Sequence, residues 1–297
     1  MKRLVKGIMR DENPIFVFQN LKSMNQQKVV LVTGASSGIG HAAALMLSLS
    51  GWRVYGAARR VERMHDLSEQ GIGVLSLDVT DEESCKLCIE TVLEREGRLD
   101  ALVNNAGYGL YGAVEDVPLS EARRQLEVNL LGLSCMVRYA LPALRSGRGR
   151  IVNVSSMAGR LHTAYGAWYH ASKYALEGFT DCLRLEVEPF GVKVCLVEPG
   201  LIRTSWPEIA IGHLQETSLG GVYEASCRRV ADTMKRMYAL RWNTPPEKIA
   251  KCIVRAVTCR CPRARYLTGF LARPAVFAKR VLPARWYDMV LRKIERM

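Results

Sequence analysis

The stretch VVLVTGASSGIG, followed directly by HAAALMLSLS, constrains this chain more than any other part of it. An apolar β-rich run ends at Gly34, Gly38 and Gly40, with Ser36, Ser37 and Ile39 filling the turn, and a helix-forming segment takes over at once. Glycines clear side chains from the turn, while the first N–H groups of the helix point at whatever lies beyond it with the positive end of the helix dipole. That order of strand, turn and helix fits a pyrophosphate. A glycine triplet without those flanks serves many tight turns for conformational reasons alone.

The rest of the chain repeats the alternation of strand and helix. Apolar runs near 28–33, 53–58, 72–77, 100–103, 149–155, 192–198 and 264–268 read as strands. Between them, amphipathic segments near 38–50, 81–96, 118–146, 166–190 and 246–259, with a shorter one at 60–69, read as helices. Alternation of this kind builds an α/β fold, a doubly wound seven-stranded parallel sheet of Rossmann type, whose ligand cleft lies at the C-terminal ends of the strands. At 297 residues, 48% of them hydrophobic, the chain supports one such domain, expected over 28–269, with a substrate lid at about 201–245. Residues 1–27 precede the first strand as an extension the fold does not need. Residues 270–297 form a basic amphipathic tail in which Trp286, Met289, Val290 and Ile294 alternate with Arg285, Arg292, Lys293 and Arg296.

Net charge is +13, which would suggest nucleic acid if it were spread over the fold. It is not: Arg228–Met297 carries eighteen Lys and Arg against four Asp and Glu, and the preceding residues balance to within one charge. Nucleic-acid binding is therefore not expected. The tail reads either as a solvated basic surface or as a contact with an anionic membrane or acidic partner. Nine scattered cysteines, mostly in apolar segments, and no run of membrane-spanning length point to a cytoplasmic protein, with peripheral membrane contact through the tail left open. Cys85 and Cys88 lack a second ligand pair at zinc spacing, so no metal site is expected and the pair reads as helix packing. His41 reads as a first-turn surface residue, and His162 is undecided.

A second group of residues carries chemistry. Tyr169 and Lys173, in YHASK, stand four apart and so share one helical face. An ammonium one turn from a phenol favours the phenolate, and Ser155 and Ser156 end the strand just before that helix. With these residues in view, TGASSGIG resembles the TGxxxGxG fingerprint of the short-chain dehydrogenase/reductase family. The resemblance continues in family order over about 28–205: Asp78 and Val79 in LDVTD, Asn104, Asn105, Ala106 and Gly107 in NNAG, Asn129, Ser156, the YxxxK pair, then Pro199, Gly200 and Thr204. It implies that Tyr169 exchanges a proton with the substrate, Ser156 hydrogen-bonds the substrate oxygen, and Lys173 holds the nicotinamide ribose and lowers the tyrosine pKa. Asn129 holds a water in the proton relay, Asp78 meets the adenine amine, and Pro199, Gly200 and Thr204 embrace the nicotinamide amide.

The second strand ends in Ala58, Arg59 and Arg60, where sites for NAD usually carry a carboxylate toward the ribose hydroxyl. The cation at Arg59 favours a 2′-phosphate, so NADP(H) is preferred, with NAD(H) as the alternative. Trp206, Tyr223, Met234, Met237 and Trp242 in the lid, with Tyr108, Tyr111, Leu161 and Trp168, make an apolar and aromatic inventory without an arginine clamp. A hydrophobic alcohol or its ketone or aldehyde fits it: a steroid, a retinoid or a long-chain carbonyl. VYGAARR, NNAGYG and YHASKYALEG look most like the branch that includes 17β-hydroxysteroid and retinol dehydrogenases. The family also implies a homodimer or homotetramer paired through the 118–146 and 166–190 helices. Two other readings share the fold. An epimerase or dehydratase would keep the Tyr–Lys pair without net alcohol oxidation, and a non-catalytic regulator would more naturally have lost Ser156, Tyr169 or Lys173.

Overall fold

In the computed structural model, which describes residues 27–296, seven strands pair in the order β3-β2-β1-β4-β5-β6-β7, every ladder parallel. They are β1 (Val29–Thr33), β2 (Arg53–Ala58), β3 (Gly73–Ser76), β4 (Ala101–Asn104), β5 (Arg150–Val154), β6 (Lys193–Pro199) and β7 (Arg265–Thr268). The helices are α1 (Gly38–Leu49), α2 (His65–Glu69), α3 (Glu82–Glu96), α4 (Leu119–Leu126), α5 (Gly132–Ser146), α6 (Ala167–Val187), α7 (Trp206–Ser218), α8 (Glu224–Tyr238), α9 (Pro246–Thr258), α10 (Ala272–Val281) and α11 (Ala284–Arg296). The expected extension over 1–27 lies, apart from Gln27, outside the described residues.

The strands are apolar on both sides because both sides are covered. In β1, Val30 and Val32 enter a core with α1 and α9, whereas Val29 and Leu31 enter a second core with α3, α5 and α6. The same alternation runs through β2, where Val54 and Ala58 face the first core and Tyr55 and Ala57 the second. Helix ends follow local chemistry. Asp81 caps α3 by accepting from the Glu83 N–H at 3.1 Å, and Gly97, at φ 68°, closes it with an N–H donated to the Leu93 carbonyl.

Two predicted elements differ in detail. The helix expected over 118–146 is continuous but contains a π turn at Glu127–Leu131 between α4 and α5. The region 201–245, read only as a lid, folds into α7 and α8, packed against each other. The tail folds into α10 and α11 and docks on the body: Val276 and Tyr287 are buried against Leu161, and the Asp288 carboxylate lies 3.1 Å from the His162 ring.

Candidate active site

Parallel pairing brings the C-terminal ends of all seven strands to one edge, and there a cavity of about 1010 Å³ opens. Its walls include Gly34, Ser36, Ser37, Gly38 and Ile39 from the glycine turn, Arg59 after β2, Asp78 and Val79 after β3, and Asn105, Ala106 and Gly107 after β4. Ser156, Tyr169, Lys173, Pro199, Gly200 and Thr204 complete the set. Of the sequence-expected residues, Gly40 and Asn129 lie behind the wall.

Gly40 shows why. A Cβ there would stand 2.4 Å from both the Asn105 Nδ2 and the Gly34 carbonyl oxygen. Asn105 donates that Nδ2 to the carbonyls of Thr33 and Gly34 at 3.1 and 3.2 Å, locking the NNAG loop onto the glycine turn. Thr33 completes the lock: its hydroxyl accepts the N–H groups of Asn105 and Ala106 at 3.0 and 3.1 Å. The turn itself needs glycine at 34 and 38, where φ is +68° and +58°. Ser37 ends the turn without a side-chain cap on α1, so the first amides of that helix face the cavity. Backbone amides, a dipole and a wall without side chains fit the pyrophosphate of a dinucleotide.

Beside the ends of β2 and β3, Asp78 Oδ1 accepts from the Thr80 N–H and hydroxyl at 3.0 and 2.7 Å. Burial pushes its carboxyl upward, but those two bonds and the Arg59 and Arg124 charges outweigh it and hold the group ionised below the usual carboxylate value. Arg59 is exposed at the rim and makes no ion pair among the described residues, leaving its guanidinium available for a phosphate.

At the other end, Tyr169 and Lys173 project from the first turns of α6 and are both almost fully buried, at 6% exposure each. The Ser156 hydroxyl lines the same wall as the Tyr169 phenol and accepts the Ala158 N–H at 3.1 Å. The Lys173 ammonium donates to the Val154 carbonyl at 3.0 Å. Burial lowers Lys173 to about 8, with the Glu177 carboxylate pulling the other way. Burial holds the Tyr169 phenol well above its ordinary value of 10, only partly offset by Ser156. The sequence expectation of a lowered tyrosine is therefore not met by the protein's residues alone. An oxidised nicotinamide, when bound, would add a positive charge that favours the phenolate.

Asn129 occupies the π turn. Its side chain clasps the Tyr108 backbone, accepting the N–H at 3.1 Å and donating to the carbonyl at 3.0 Å, and also donates to the Ser172 hydroxyl at 3.0 Å. It thus fastens the loop after Gly107 to α6 beside Tyr169 and Lys173. A Cβ on Gly107 would lie 3.0 Å from Asn129 and 3.8 Å from the Lys173 ammonium, so that loop passes close to both.

The substrate end is aromatic. The Tyr169 ring is 5.1 Å from Trp206 and 6.0 Å from Tyr111, and Trp206 is 6.2 Å from Tyr238. Met234 and Met237 of α8, with Leu161, add apolar walls. Of the expected wall residues, Tyr223, Trp168 and Trp242 fall outside the cavity. Tyr223 bonds Glu115 at the surface, Trp168 packs with Leu110 and Val117, and Trp242 is 68% exposed. Several wall residues carried no signal in isolation: His170, Thr163, His213 and Thr233 line the cavity, as do Leu291 and Ile294 of α11. His41 pairs with Asp66 at 2.7 Å and His162 with Asp288, and neither lines the cavity. Cys85 and Cys88 are buried in the second core, and no metal-binding cluster occurs among the described residues. No helix among them is long and apolar enough to cross a membrane.

Comparison with known proteins agrees with this architecture. The family model for short chain dehydrogenase matches residues 28–208. A probable short-chain type dehydrogenase/reductase of Helicobacter pylori is 34% identical, over 90% of this chain and 97% of its own. The 17-beta-hydroxysteroid dehydrogenase type 6 of Bos taurus is 35% identical, over 90% of this chain and 88% of its own. Among solved structures, a short-chain dehydrogenase from Streptomyces avermitilis superimposes with a TM-score of 0.74 at 33% identity, covering 92% of this chain and 98% of that one. With the strand order, the glycine turn and the Ser–Tyr–Lys cluster in place, the chain belongs to the short-chain dehydrogenase/reductase family, in its hydroxysteroid and retinol dehydrogenase-like branch, and is an oxidoreductase acting on CH–OH groups with a nicotinamide cofactor.

Proposed function

We propose that this enzyme interconverts a hydrophobic alcohol and its ketone or aldehyde, with NADP(H) preferred over NAD(H) and Tyr169 as general acid and base. The observation that carries this proposal is the convergence of Ser156, Tyr169 and Lys173 at one wall of a cavity whose far end is the glycine turn. The nicotinamide, when bound, supplies or accepts the hydride. In reduction, the Tyr169 phenol gives its proton to the substrate oxygen while the Ser156 hydroxyl donates a hydrogen bond to the same atom. Charge developing on that oxygen is thereby met by two donors in a site shielded from water. In oxidation Tyr169 takes the proton back, a step that needs the phenolate. The Lys173 ammonium, one turn along α6, favours that form while it is charged. Asn129 keeps the Tyr108 loop against α6 and provides the polar end of a water-mediated proton path.

The preference for the phosphorylated nucleotide rests on Arg59, free at the rim, with Arg124 also lining that end of the cavity. The aromatic and methionine-rich substrate end supports a steroid, retinoid or long-chain carbonyl, and the bovine relative's name agrees with the first of these. Exposed Leu119, Leu131, Tyr174 and Leu185 on α4–α6 and the turn between them support a homodimer or homotetramer paired there. The basic C-terminal helices are the proposed point of membrane contact. The test is NADPH against NADH oxidation by the purified enzyme over a panel of hydrophobic ketones and aldehydes. NADPH-dependent turnover of an apolar carbonyl is expected, and failure to bind either nucleotide would overturn the proposal.

A further inference from the structure

The last two helices do two things at once. On α11, Tyr287 (5% exposed) and Leu291 face the body, and Leu291 and Ile294 line the cavity at its substrate end, beside Met234 and Met237 of α8. One step around the same helix, Trp286, Met289 and Val290 are 62%, 58% and 46% exposed, and on α10 Phe277 and Val281 are 66% and 55% exposed. The apolar arc of α11 therefore extends well beyond the part the body covers. Around that uncovered part stand Arg273, Arg280, Arg285 and Lys293, none in an ion pair among the described residues.

We infer that the α10–α11 face docks on an anionic phospholipid bilayer, and that apolar substrate passes from the bilayer into the cavity beside Leu291 and Ile294. The second half of this inference rests on the oxidoreductase reading above. Charge complementarity selects the occupant. A second copy seated on this face about a two-fold axis would set the same cations against themselves, whereas an anionic headgroup layer satisfies them. An indole and a thioether can then enter the boundary between headgroups and acyl chains while the lysine and arginine stems reach back to phosphate. A substrate dissolved in that layer would meet the cavity without crossing water.

Sedimentation of the full chain with phosphatidylcholine vesicles, with and without phosphatidylglycerol, tests the docking. The chain should sediment with the anionic vesicles at low salt and be released by high salt. The variant W286S/M289S alters only exposed positions, and about hundredfold weaker binding is expected from the loss of the two apolar contacts. Absence of binding to anionic vesicles, or equal binding by the variant, overturns the docking. So does a dimer that this variant dissociates. Access is tested separately with two ketones, one dissolved in the vesicles and one soluble in water. The variant should lose turnover of the first and keep that of the second, and equal effects on both would overturn the access route. If the unaltered enzyme reduces neither ketone, the catalytic proposal fails while the sedimentation result still decides the docking.

Discussion

Tyr169 is packed against Tyr111 and Trp206, so replacing it with phenylalanine keeps the ring and removes only the hydroxyl. Turnover of Tyr169→Phe should fall by about 10²–10⁴-fold, the usual worth of a positioned acid or base, with nucleotide binding by fluorescence titration unchanged. A variant within tenfold of the parent would place the proton donor elsewhere. At the other end of the cavity, Arg59→Glu would remove the charge-assisted bond proposed to the 2′-phosphate, worth about 1.5–3 kcal/mol. It should weaken NADPH by roughly 10–100-fold while leaving NADH little changed, as read from the two KM values. Lys173 has a pH signature of its own. Its folded value, about 8, lies below the ordinary 10.5, so the folded state binds the proton less well than the unfolded one. That cost is fully present below pH 8 and disappears as pH rises past 10.5. Lys173→Met should accordingly raise the Tm of the nucleotide-free protein at pH 7, and the gain should shrink by pH 10. These four-residue and glycine spacings were legible in the sequence because helix and turn geometry are local. The raised phenol of Tyr169 was not legible, since burial depends on what α7 and α8 lay over it.

Between elements, the lock joining the glycine turn to the NNAG loop is the most sensitive joint. Gly40→Ala would drive a methyl group into a backbone carbonyl and the Asn105 amide at 2.4 Å, neither of which can swing away. A loss of about 1–3 kcal/mol in unfolding free energy is expected, read as a lower urea midpoint and accompanied by weaker nucleotide binding. An unchanged midpoint would mean that the two loops can separate. The long helix expected over 118–146 illustrates the limit of periodicity. Its π turn at Glu127–Leu131 adds one residue to a turn, and the cause is tertiary: Asn129 is held by the Tyr108 backbone, twenty-one residues back in the chain. No pattern within the helix itself reports that contact.

Across the whole molecule, one arginine joins the edge of the sheet to the helix that carries Tyr169 and Lys173. Arg265 of β7 reaches Glu177 and Asp181 of α6 and the Glu198 carboxylate of β6, which is wholly buried just before Pro199 and Gly200. Glu177 packs under the turn that carries Ser156, where a Cβ on Gly159 would lie 2.8 Å from its side chain. Arg265→Met would leave Glu177 without its cationic partner and Glu198 with Arg160 alone, and should cost about 3–5 kcal/mol in denaturant unfolding at neutral pH. Burial and the neighbouring Glu198 already raise Glu177 to about 7, above the usual 4.5, so its folded form binds protons more tightly than the unfolded chain. The deficit of the variant should therefore be largest above pH 7 and diminish as pH falls toward 4.5. A deficit independent of pH would assign the loss to packing and not to charge.

The sequence by itself determined the alternation of strand and helix, the glycine turn, the Ser–Tyr–Lys spacing and the concentration of positive charge near the C-terminus. Each is a local pattern that backbone geometry converts directly into structure. Only the tertiary structure decided which aromatic residues wall the cavity, that Asn129 and Gly40 lie behind it, and that α11 lends one face to the cavity and leaves the other bare. Those outcomes depend on residues far apart in the chain meeting across packed elements, and no local pattern encodes which side chains will share that space.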